Sequence, residues 1–92
     1  PNTTLFRSDL ENNVAKSSLR NAVMNLEVQK RNLELAESVF QSTTKKYQAG
    51  LGSSFEVLQT DTEYQRASGS YFQALYDASI AKVNFYKSIG KL

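Results

Sequence analysis

Tyr47-Gln-Ala-Gly50-Leu-Gly52-Ser-Ser-Phe-Glu56-Val57 interrupts a chain that otherwise reads as helix. Gly50 suits the left-handed position just past a helix end, where a side chain would be strained. Leu51 is then predicted to fold back onto Tyr47, the apolar contact that often accompanies such an end. Ser53 with Glu56 forms a capping box: the hydroxyl takes a free amide of a new helix and the carboxylate reaches back. One helix therefore ends and another begins within about three residues. A link that short makes the two helices antiparallel neighbours, since helix–helix connections in bundles run roughly 2–8 residues.

Outward from this break, each arm carries a seam. Before it, Ala15, Leu19, Ala22, Leu26, Gln29, Leu33, Ala36, Phe40, Thr43 and Tyr47 follow alternating steps of four and three. After it, Val57, Thr60, Tyr64, Ala67, Tyr71, Ala74, Ala78, Ala81, Phe85 and Ser88 do the same. The period is about 3.5 residues, that of a coiled coil rather than a plain helix. The expected fold is all-α: a long antiparallel two-helix coiled-coil hairpin over residues 8–92, its tip at 48–54. Each arm has roughly 35–45 residues and spans roughly 50–65 Å at ~1.5 Å per residue. Residues 1–7 show no periodicity and are expected to be an irregular or added start. Asn2 or Thr3 is a candidate cap, Ser8 with Glu11 a second candidate capping box, and helix is expected from about Thr4–Ser8 onward. Glu27 is placed to pair with Arg31, and Gly90 to close the second helix.

Small residues and aromatics share the seams, so that backbones can approach closely with rings filling the spaces. Further apolar stripes run beside them, through Val14, Val28, Leu35 and Val39 on the first arm and Phe72, Leu75, Tyr76, Ile80 and Val83 on the second. Stripes on more than one face call for more than one neighbouring helix. Two arrangements supply them: hairpins packed sideways against copies or other helices, or a hairpin that dimerises into a four-helix bundle.

Composition removes several function classes. The 92 residues allow one small domain. With 40% hydrophobic and 22% charged residues the chain falls outside the disordered and membrane-spanning classes. The net charge of +2 is interspersed rather than gathered on one face, which gives no footprint for nucleic acid. There is no cysteine and no histidine, hence no thiolate site and none of the commonest base or metal ligand. Glu34 and Glu37 have di-metal spacing, but the Glu-x-x-His element of such sites is missing. Asp61 and Glu63, two apart, point to different sides of a helix. Neither an enzyme nor a cofactor or metal is expected.

The chain resembles the outer-membrane efflux protein family, the TolC-like exit ducts. The likeness runs from Asn32-Leu-Glu-Leu-Ala36 through Tyr47-Gln-Ala-Gly50-Leu-Gly-Ser-Ser54 and Phe-Glu56-Val-Leu58 to Tyr71-Phe-Gln-Ala-Leu-Tyr-Asp-Ala78 and Ile89-Gly90. It is similar to that family's Y-x-x-G-x-x-S/T-x-x-D-V-L tip and the Y-x-x-A-rich helix that returns from it. The resemblance implies a periplasmic hairpin excised from a longer protein of the cell outer membrane, in which three chains build a tube with an α-helical barrel. It implies a passive duct for efflux or export, and docking to a periplasmic adaptor of a tripartite pump. The adaptor-docking tip would comprise Tyr47, Ala49, Gly50, Leu51, Gly52, Ser53 and Ser54, with Glu56 at the pore mouth. Detached, such a piece is expected to be only weakly or non-natively oligomeric, a non-native dimer being one form. Two positions depart from the family pattern: Gly52 stands where a basic latch residue is expected, and Gln59 where a second acid is expected. The rival reading is a stand-alone helical-hairpin interaction module forming a dimeric four-helix bundle.

Overall fold

The computed structural model describes the backbone of residues 2–90 and the side chains of residues 7–90. It contains two helices, α1 over Asn2–Gln48 and α2 over Ser54–Ser88, joined by residues 49–53. No glycine or proline falls between residues 2 and 48, so nothing in the sequence interrupts α1 once it has formed. The chain is the expected all-α helical hairpin.

The expected irregular start is corrected: residues 2–7 are helix. Extending an existing helix adds one hydrogen bond per residue fixed and needs no apolar periodicity. Ser8, lying inside α1, caps nothing. Pro1, and the side chains of Asn2 and Thr3 offered as caps, lie outside the described residues.

The chain divides into two compact units, Pro1–Leu26 with Ala74–Leu92, and Glu27–Gln73. The first contains the buried core: Ala74, Ala78 and Ala81, at 2%, 9% and 8% exposure. Their methyl groups let α1 approach closely, with Ala15, Leu19, Ala22 and Leu26 half-buried on its side. Ser88 Oγ lies 2.7 Å from the Phe85 carbonyl and 3.3 Å from the side-chain oxygen of Asn12. Its single proton serves one of them at a time. In the second unit Phe40 stacks on Tyr64, ring centroids 5.8 Å apart and planes at 22°. Around that pair the seam is half-buried, and none of the unit's described residues is fully buried.

Every seam residue of α2, and every one of α1 except Tyr47, is half-buried or buried. Tyr47 is 48% exposed, because it sits in the last turn of α1 whereas the seam of α2 begins only at Val57. The flanking stripes stay in solvent. The expected Glu27–Arg31 pair does not form, whereas Glu63 and Arg66 pair at 2.8 Å. An exposed pair at helical spacing is worth only about 0.3–0.5 kcal/mol, too little to hold two long side chains against hydration.

Candidate functional site at the hairpin tip

The tip is built by two helix caps. Gly50 has φ 79°, in the left-handed region. The Leu51 amide donates to the Lys46 carbonyl at 2.8 Å and the Gly50 amide to the Tyr47 carbonyl at 3.0 Å. Together these bonds are a Schellman ending, which satisfies carbonyls that α1 would otherwise leave unpaired. On the far side the Glu56 amide donates to Ser53 Oγ at 3.2 Å, and the Val57 amide to the Ser53 carbonyl at 3.3 Å. Ser53 is therefore the N-cap of α2. The carboxylate of Glu56 turns back over Gly52: its Oε2 is 3.5 Å from where a Gly52 side chain would begin. Among the described residues no second bond from that carboxylate reaches the Ser53 amide, so the capping box is half made.

Charge follows the helix dipoles. Lys45 and Lys46 stand in the last turn of α1 and Glu56 in the first turn of α2, each at the helix end that favours its sign.

The expected docking residues come together here. Tyr47 lies in the last turn of α1, Ala49 and Gly50 are exposed in the connection, Ser53 caps α2 and Ser54 begins it. Gly52 is half-buried against the end of α1, with Lys46 Cβ and the Tyr47 nitrogen 3.6 Å from its missing Cβ. Leu51 corrects an expectation. It does not fold onto Tyr47 but stands 81% exposed. The residues over which a Schellman ending would place it are lysines, Lys45 and Lys46, which offer little apolar surface.

Two residues missed by the sequence reading belong to this surface. Phe55 and Leu58 are 68% and 62% exposed. Three apart on α2, they share a face and lie off the seam through Val57 and Thr60. Extending the seam's phase back to the cap would have found them. The tip thus presents Leu51, Phe55 and Leu58 to solvent around a backbone fixed at both sides. Exposed apolar side chains mark contact surfaces where they form a contiguous patch, and Phe55 and Leu58 are neighbours on one face.

Each unit also has an open apolar groove along its side. In the first unit Leu10, Val14 and Ile80 line it, together with the polar Glu11, Asp77 and Asn84. In the second, Leu35, Val39 and Ala67 line it, beside the Glu63–Arg66 pair. Among the described residues no helix is long and apolar enough to cross a membrane.

A protein-family model described as outer membrane efflux protein matches residues 7–91. No curated protein and no solved structure was found to match the chain.

Proposed function

From the outer membrane efflux protein family, to which this chain belongs, we propose a periplasmic hairpin of a trimeric efflux duct that docks by its tip to a periplasmic adaptor of a tripartite pump. The family is one of transport channels, and the proposed role is conduction and docking, with no catalysis and no cofactor. The observation that carries the reading is the tip: a reversal fixed by the Gly50 and Ser53 caps, with apolar side chains left in solvent around it. A rigid end costs little ordering entropy on binding. Tyr47, Ala49, Gly50, Leu51, Gly52, Ser53 and Ser54 form the contact, and the apolar grooves along each unit receive neighbouring copies of the hairpin.

Single cysteines test this cleanly, because the chain has none of its own. Leu51→Cys and Ser54→Cys leave both caps in place; Gly50→Cys and Ser53→Cys would not. In the duct reconstituted with its adaptor, the two tip cysteines should cross-link to the adaptor and Val28→Cys or Tyr76→Cys should not. Cross-links to the adaptor from the arms alone would overturn tip docking and favour a hairpin that binds along its length.

Glu56 is placed at the pore mouth in this reading. One carboxylate per copy makes a ring that favours cations. Glu56→Gln keeps the backbone amide that Ser53 receives, so a fall in cation preference across a planar bilayer would report the charge rather than the cap. An unchanged preference would remove Glu56 from the mouth.

A further inference from the structure

We propose that Ser68-Gly69-Ser70 is a flexing point built into α2, a turn that opens locally while α1 beside it stays continuous. Gly69 lies well inside α2, where glycine is the least favourable residue after proline. Nothing in the structure requires it. Its φ is not in the left-handed region, and a Cβ built on it would meet no atom within 4 Å. Neither backbone conformation nor close packing explains the missing side chain, and its effect is on the helix itself.

Three further observations favour opening at this turn. Serines flank the glycine on both sides, and their hydroxyls can compete for backbone groups, which is why Gly/Ser pairs are common sites of helix bending. Tertiary packing holds the turn lightly. No described residue of Glu27–Gln73 is fully buried, and the first buried residue of α2 is Ala74. Ala67 and Ser70 line the open groove of this unit, so the turn borders open space between the helices rather than a filled core. Few buried contacts and exposed backbone hydrogen bonds are the physical content of low local stability. Over the residues that make up the rest of the same unit, α1 has no glycine and no proline. It acts as the stiff rail along which α2 yields.

Amide exchange by nuclear magnetic resonance on the whole chain tests this, with rates corrected for intrinsic chemistry. The amides of residues 70–73, whose helical acceptors are residues 66–69, should exchange faster than those of residues 62–65 and 79–82. Gly69→Ala should slow that group about fivefold, the ratio that corresponds to about 1 kcal/mol of helix propensity, and leave the flanking groups within about twofold. Gln59→Ala, on the exposed surface of the same helix, serves as control and should slow none of them selectively. Equal protection along α2 in the unsubstituted chain would overturn the proposal. So would a Gly69→Ala effect spread evenly over all amides, which would mark general stabilisation rather than a local opening.

Discussion

The two tip glycines sit two apart and are held by different constraints. Gly50 has a left-handed backbone and empty space around it; Gly52 lies outside the left-handed region and has ordinary contacts at 3.5–3.6 Å. Gly50→Ala should therefore cost about 1–2 kcal/mol, the penalty of a Cβ in a left-handed conformation. Gly52→Ala should be neutral or slightly stabilising, since it only reduces the freedom of the unfolded chain. Urea unfolding of the two variants checks the contrast, and equal losses would refute it. Leu51 and Phe55 show what residue-level reading misses. The glycine and serine signals locate a turn, but they do not say which side chains that turn turns outward. For Leu51 that depended on the identity of Lys45 and Lys46 a full turn earlier, and for Phe55 on the helical phase set by the Ser53 cap.

At the scale of the element, helical phase decides burial almost alone. A pair of helices that meet along one seam buries mainly the residues at that phase, so the 3.5-residue period identified all the buried and most of the half-buried positions of both arms; Thr44, Asp61 and Ser68, half-buried beside the seam, lie outside it. It failed at Tyr47, where the partner's seam has not yet begun, and it said nothing about the start of α1, where helix continues without a pattern. Electrostatic pairing was least legible, because Glu27–Arg31 and Glu63–Arg66 have similar spacings and marginal energies, and only the second forms. The seam's alanines set a sharp expectation. At Ala74, 2% exposed, leucine would force the helices apart and should cost about 1–3 kcal/mol. Val83, 44% exposed on the same helix, should tolerate leucine within about 0.5 kcal/mol. Thermal unfolding distinguishes the two; equal tolerance at both positions would show that the alanine seam is not a close contact.

For the molecule as a whole, the apolar stripes of both arms stay in solvent, with Val14, Leu35, Phe72 and Tyr76 each more than half exposed. Association through those stripes should raise the unfolding temperature as protein concentration rises. Ile80→Glu, on the groove of the first unit, should abolish that dependence. A midpoint constant over a hundredfold range of concentration would argue that the stripes have no second copy to cover them. The interior has its own consequence. Among the described residues the buried core is three alanine methyls, and a chain so lightly held from within depends on company for its persistence. A copy left uncovered would be open to cleavage long before one whose stripes a neighbour covers.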